Sequence, residues 1–357
     1  MFDSIKNWLN AHFSHPDAVL IVFFFVVAST TIFFFGEMLA PVLAAIVIAY
    51  MLEALVQYFT AKAIRRIFSV ILAFSMFLAA FLFFVIGVIP VISKQVSSFL
   101  HDLPKIIGHG RDLLLKLQSE YPSLLNTEQV NNLISSSMSE LTSVGQSVLS
   151  MSLSSIPFLI ISIIYLFLVP LLIFFFLKDK DLLLNWINSF LPTEKKVLST
   201  VWKDVDSQIG NYIRGKFYEI VLVGSATYLS FTLLTVSYAS LLGVLVGLSV
   251  IVPYIGAAVV TIPVVLAVYL QFGFSAEFGW IVGVYALIQI LDGNLLVPLL
   301  FSDVVNLHPV AIIVAVLIFG GLWGFWGVFF AIPLATLIKS LLDAWPTYKK
   351  ELEVGPP

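Results

Sequence analysis

Cysteine is absent from this chain of 357 residues, which removes disulfides, iron–sulfur clusters and thiol nucleophiles together. Charge is scarce as well. Only 11% of residues are charged, against about 25% in a soluble domain of average make-up. The five histidines are scattered, with no metal-ligand spacing such as HExxH, so neither a metal site nor a cofactor is expected. Formal net charge is −3, and no basic patch interleaved with aromatics points to nucleic acid. The N-terminus has no short apolar region followed by a small-residue cleavage site, so its first apolar run reads as a span. No nucleophile–base pair can be assembled, and an enzyme is not expected.

What the chain has in quantity is hydrocarbon. Hydrophobic residues make up 60% of it, 32 of them Phe, and the mean hydropathy is +1.05. Its apolar runs approach or exceed the roughly 20 residues that a bilayer crossing requires, so the lipid bilayer is its first partner. The expected fold is an all-α polytopic membrane protein with about eight transmembrane or re-entrant helices. Helices broken in the C-terminal half and a small helical extramembrane insertion complete the expectation.

Residues 1–17 are polar and mixed, with Trp8 and Phe13 spaced for one face of an interfacial helix. Spans are expected at 18–35 and 38–59, joined by a tight turn at Gly36-Glu37. Lys62, Arg65 and Arg66 follow in the link 60–66, which the positive-inside tendency places in the cytoplasm together with the N-terminus. A third span covers 67–92 and closes an N-terminal unit, 1–92. Residues 93–150 turn polar, with Pro104 and Pro122 among charges and serines. They read as a small helical periplasmic region, either a solvated cap or a lid.

The rest, 151–357, reads as the transport core. A span at 151–177 leads into a cytoplasmic segment, 178–216, that holds seven Lys or Arg. Further spans are expected at 217–236 and 278–300. Two apolar runs, 240–270 and 308–338, are too long for one straight crossing. Counting each as a span gives eight, with both termini cytoplasmic. Alternatively, each is a re-entrant hairpin or a helix broken at Pro253–Gly256 and at Gly320–Gly327. Broken backbone at membrane depth needs protein or a water-filled cavity around it, and paired interrupted segments point to a transporter site.

Asp292 is the strongest single candidate, because an ionisable residue inside an apolar run is costly. Gln289 lies one helical turn before it, so the two share a face. Gly293 loosens the helix beside it and Asn294 adds an amide. This set suits a cation, a proton relay or a polar solute; alternatively, Asp292 is a buried carboxyl bonded to a neighbouring helix. Pro253, Tyr254 and Gly256 form a break that either lines a pathway or is a plain kink. Asp303 and His308 are either a histidine–carboxylate pair or interfacial residues, and Glu53 is expected to pair with Lys or Arg. Gly320, Gly321, Gly324 and Gly327 suit close packing or a gate, with Trp323 and Trp326 as interfacial anchors. From Gly210 to Lys216 the chain matches GxxxxGK, but Phe217 replaces the magnesium-holding Ser or Thr and no strand precedes it. That segment reads instead as helix, with Gln208, Tyr212, Arg214 and Lys216 at a cytoplasmic mouth.

QIGNYIRGK (208–216), VPYIGA (252–257), LDGNLLVP (291–298), the HP at 308–309 and GGLWGFWGVFFAIPLATLIK (320–339) together resemble the AI-2E transporter family, and in particular a permease branch of it. The resemblance covers nearly the whole chain. It implies a bacterial inner-membrane protein of about eight helices with cytoplasmic termini, and a homo-oligomer for which a cyclic pentamer is the candidate form. It also implies export of a small polar solute such as autoinducer-2, or exchange of a cation for protons. Two departures bear on the substrate: Asp292 stands where many relatives carry Glu, and Leu299 and Leu300 follow Pro298 where many place a basic residue. A scaffold that binds a partner protein through 93–150 is the alternative outside transport.

Overall fold

The computed structural model describes residues 16–102, 108, 132, 135–136, 156–189, 196–301 and 307–344. All the elements among them are helices. Large apolar side chains lie on the outside of the bundle, with Phe34, Phe83, Phe167 and Trp280 each more than 70% exposed. That is the surface of a protein whose solvent is lipid.

Helix α1 runs unbroken over Pro16–Ala61, 46 residues, or roughly 69 Å at the usual rise. The turn expected at Gly36-Glu37 does not exist. A lone glycine in a helix costs only about 1 kcal/mol relative to alanine, too little to stop so apolar a run. The chain turns instead at Ala63, in the left-handed region with φ 64°. Helix α2, Arg66–Asp102, likewise passes through Pro90, where the third span was expected to stop. A π turn at Phe84–Val88 lies just before that proline. A wide turn there accommodates the missing N–H and the bulk of the ring. Beyond Asp102 almost all of 93–150 lies outside the described residues.

Helix α3 (Ile156–Lys178) bends by 77° into α4, Lys180–Ser189. At this corner Glu53 is buried and receives both arms of Arg66, at 3.1 and 3.3 Å, and Lys180 at 3.1 Å. Arg66 also donates to the Leu177 carbonyl. The basic partners expected for Glu53 are these two. They fasten α1, α2 and α3 at one end of a core that includes Leu52, Val56, Val70 and Ile173.

Helix α5 spans Lys196–Leu233 in 38 residues, so the basic segment from Lys196 onward and the expected fifth span are one rod. Helix α6, Ala239–Ser249, returns antiparallel along it on a glycine seam. A Cβ at Gly243 would lie 2.7 Å from Tyr228 Cβ, and one at Gly247 would lie 2.8 Å from the Ile220 carbonyl oxygen. With 11 residues, α6 is too short to cross an apolar layer of about 30 Å. Helix α7, Ile255–Phe272, then turns back. A straight helix would hold Ser249 and Gly256 roughly 10 Å apart, yet a Cβ on Gly256 would overlap the Ser249 carbonyl oxygen. At the other end Gln271 accepts from the Ser237 N–H at 2.6 Å and donates to the Thr235 carbonyl at 2.7 Å. Both ends of 239–272 therefore lie together, and the run is a hairpin of one short helix, α6, and one helix of crossing length, α7.

Helix α8, Ala276–Phe301, starts at the hairpin's mouth, capped by Ser275, and runs back along the C-terminal half of α5 to bring Phe301 against Gly215. It contains a second π turn, Asp292–Leu296, again just ahead of a proline, Pro298. The final run starts past Phe301, at the far end of α8 from the first hairpin's mouth. Helix α9, Pro309–Phe329, breaks at Gly324, whose φ is 58°, and α10 follows over Ala331–Ala344. A Cβ on Gly327 would overlap the Phe319 carbonyl oxygen, so this run also doubles back. The eight-crossing count thus gives way to five or six helices of crossing length among the described residues, with one doubled-back run just before α8 and another just after it.

Candidate functional site

The two hairpin tips converge on one stretch of α5, QIGNYIRGK. Glycines let its neighbours close in. A Cβ at Gly210 would lie 2.7 Å from the Tyr50 ring of α1, and one at Gly215 would lie 2.7 Å from the Phe301 ring of α8. Tyr50 also donates to the Asp206 side chain at 2.8 Å, which ties α1 to α5. The Tyr212 hydroxyl donates to the Phe329 carbonyl at 2.9 Å, at the second hairpin's break. One turn on, the Lys216 ammonium donates to the Val250 carbonyl at 2.7 Å, at the first hairpin's break. Two carbonyls left over by interrupted helices are thereby satisfied from a single helix face. Ile251 of the first tip and Phe319 and Phe329 of the second share one apolar cluster with Tyr212 and Phe301.

Removing the Tyr212 hydroxyl should leave the Phe329 carbonyl buried without a donor, at a cost of about 1–3 kcal/mol. Tyr212→Phe is expected to lower the unfolding midpoint in detergent accordingly; an unchanged midpoint would show that the bond contributes nothing.

Lys216 has a second and stronger attachment. Its ammonium lies 2.7 Å from Glu219 Oε2 on the same helix, and the side chains are only 5% and 3% exposed. The Phe301 ring lies beneath it, 5.2 Å from centroid to nitrogen, within cation–π range. Glu219 is the functional candidate that reading the sequence missed. The signal was present, since it is the one acid in the apolar half of α5 and stands at i+3 from the last cation before Lys339.

Asp292 opens the π turn of α8 and is buried. It interacts electrostatically with both Lys216 and Glu219. Its Oδ1 is the one buried side-chain polar atom among the described residues without a hydrogen-bond partner. The site therefore holds two carboxylates and one ammonium, and residues 217–338 supply no further Lys or Arg.

Other sequence candidates fall elsewhere. Gln289 donates to the Tyr285 hydroxyl at 2.7 Å, and Tyr285 lies 2.9 Å from the Thr261 hydroxyl, a polar chain from α8 to α7 one turn from Asp292. Asn294 does not join it: the side chain is exposed and returns to the Ile290 carbonyl, and Gly293 is exposed too. Pro253, Tyr254 and Gly256 form the first tip, with Tyr254 exposed and at φ 61°. Of the four residues expected at a mouth, Tyr212 and Lys216 are buried. Arg214 holds Asn211 at 2.9 Å, and Gln208 is half-buried. His308 caps α9 by accepting the Val310 N–H through Nδ1; Asp303 lies outside the described residues. Gly324 and Gly327 make the second reversal, Gly320 faces Val328, and Gly321 meets nothing. No group of three or more His, Asp or Glu able to hold a metal occurs among the described residues.

Comparison with known proteins points to one family. The model of the AI-2E transporter family matches residues 18–347. PerM of Escherichia coli strain K12, named as a permease, is 44% identical over 346 residues, which cover 97% of this chain and 98% of that protein. YueF of Bacillus subtilis strain 168, named as a transport protein, is 27% identical over 312 residues, with 84% and 82% covered. TqsA of Escherichia coli strain K12, named as an AI-2 transport protein, is 22% identical over 316 residues, with 86% of each covered.

Proposed function

The chain belongs to the AI-2E transporter family, and on that footing we propose that it is a secondary permease of the bacterial inner membrane that moves a small polar solute outward. It acts as a carrier and not as an enzyme. The basic links 60–66 and 178–216 face the cytoplasm in this reading. The pathway runs between the two hairpin tips, past Asp292 and the Gln289–Tyr285–Thr261 chain. A homo-oligomer, with a cyclic pentamer as its candidate form, would pack through the exposed apolar faces of α2 and α8. The observation that carries the reading is the buried Asp292 oxygen without a donor, next to the α5 segment that binds both tips. Buried polar groups are normally hydrogen-bonded, and an exception in a native fold calls for a role. Intramembrane carboxylates mark solute and ion paths by default.

The test is flux into proteoliposomes holding the purified protein, with and without an imposed proton gradient, for wild type and Asp292→Asn. Autoinducer-2, sodium and potassium are the candidate solutes. Wild type is expected to transport one of them, and the variant is expected to fall at least tenfold. Equal flux in the two proteins would remove Asp292 from the pathway. No flux of any candidate, in protein shown to be folded and inserted, would overturn the transport reading.

A further inference from the structure

Helix α4 presents an apolar face to its surroundings. At helical spacing Leu182, Leu183, Leu184, Trp186 and Ile187 fall on one side of it, and Asp181, Asn185, Asn188 and Ser189 on the other. Leu182, Leu184, Trp186 and Ile187 are 40–67% exposed. The direction of α4 decides what medium they meet. Helix α3 is long and apolar, and its exposed Phe167, Leu171 and Phe175 belong to the lipid-facing surface. Helix α4 leaves it at 77°. Its ten residues measure about 15 Å and advance only about 3 Å along the axis of α3. The helix therefore runs along the membrane surface and not through it, and the apolar surface of α3 continues into its apolar face. A tryptophan within that face suits the level of the headgroups.

The corner from which α4 leaves has surplus positive charge. Lys62, Arg65, Arg66, Lys178 and Lys180 stand against Glu53, Asp179 and Asp181, five cations against three acids. Glu53 takes Arg66 and Lys180, Arg66 also reaches Asp181 of α4 at 3.8 Å, and Lys178 lies 3.7 Å from Asp179. Lys62 and Arg65 are exposed and pair with no acid among the described residues; the Lys62 ammonium lies 4.4 Å from the Tyr58 ring. We propose that α4 lies in the headgroup layer of an anionic leaflet, its apolar face against the acyl chains, and that Lys62 and Arg65 hold lipid phosphates beside it. Amphipathic helices bind such surfaces by apolar burial together with attraction of cations to anionic lipid. A second copy packed face to face on this corner would set surplus cations against surplus cations, which is costly. Lys180 and Asp181 fasten α4 to Glu53 and Arg66, so the lipid contact holds the corner of α1, α2 and α3. The proposal is independent of what the protein transports.

The chain has no cysteine, so Leu182→Cys, Ile187→Cys and Asn185→Cys each place a single nitroxide label on the full-length protein. In nanodiscs of phosphatidylglycerol, power saturation with oxygen, which concentrates among acyl chains, and with a water-soluble nickel chelate reads where each label lies. Labels at 182 and 187 are expected to favour oxygen, and the label at 185 the chelate. The headgroup contact is read separately in detergent, as the phosphatidylglycerol concentration that gives half of the rise in melting midpoint. The double variant Lys62→Gln with Arg65→Gln should raise that concentration about 25-fold, at about fivefold per cation. Both substitutions fall at exposed positions, and the variant should melt with wild type when no lipid is added. Equal access of the chelate to all three labels would place α4 in water and overturn the proposal. Spin–spin broadening at 182 and 187 that vanishes on dilution with unlabelled protein would assign the face to a second copy, and overturns it as well. A wild type that phosphatidylglycerol stabilises no more than phosphatidylcholine does, or an unchanged half-point in the double variant, overturns the part played by Lys62 and Arg65.

Discussion

Lys216→Met is expected to lower stability by about 3–5 kcal/mol, the range for removing one partner of a buried ion pair. The loss comes from what remains. Glu219, with its side chain 3% exposed, would keep a carboxylate with no counter-charge, and the Val250 carbonyl would lose its donor. The double variant Lys216→Met with Glu219→Leu should recover most of that loss, because apolar replacement of a whole buried pair is often neutral or stabilising. Unfolding midpoints of both variants in detergent make the comparison. If the single variant melts with wild type, the pair is not buried in the folded protein; if the double variant melts below the single, packing around the pair outweighs its charge.

The second large effect is expected at the reversals. Gly256→Ala and Gly327→Ala place a methyl group on a backbone carbonyl oxygen, of Ser249 and Phe319 respectively. A side chain in the way can rotate, whereas a helix carbonyl moves only with its helix. Each substitution should therefore cost about 3 kcal/mol, the upper end for overpacking, and should pry its hairpin open. Gly321→Ala is the control, since a Cβ there has open space, and it should melt with wild type. Three equal midpoints would mean that the hairpins are not closed at these glycines.

These two glycines mark how far the sequence could be read. GGLWGFWG announced an interruption, and so did VPYIGA, but periodicity cannot distinguish a kinked span from a reversal. The difference is made by backbone contacts between residues on either side of the break. Gly36-Glu37 misled for the opposite reason: it has the composition of a turn, but no proline or positive φ enforces one, and α1 continues. The π turns share a legible pattern, since FVIGVIP and DGNLLVP both place a proline two residues past the widened turn. Asp292 stood out as a charge in an apolar run. Glu219 did not, because it lies within three residues of Lys216 at the edge of the basic segment, although the fold buries it. Burial of Tyr212 and Lys216 was equally illegible, because the carbonyls that their polar ends bind lie on the two hairpins.

The 38-residue length of α5 has a mechanical consequence. Its two tip-binding donors, Tyr212 and Lys216, stand four residues apart and about 40° around the axis. A twist of the helix swings both in the same sense, so the two hairpins are geared to one another. Neither tip carbonyl can shed its donor by such a twist while the other keeps a full grip. The sixteen residues from Lys196 to Asn211 form a shaft leading out of that gear, and a torque applied along them reaches both tips in one stroke.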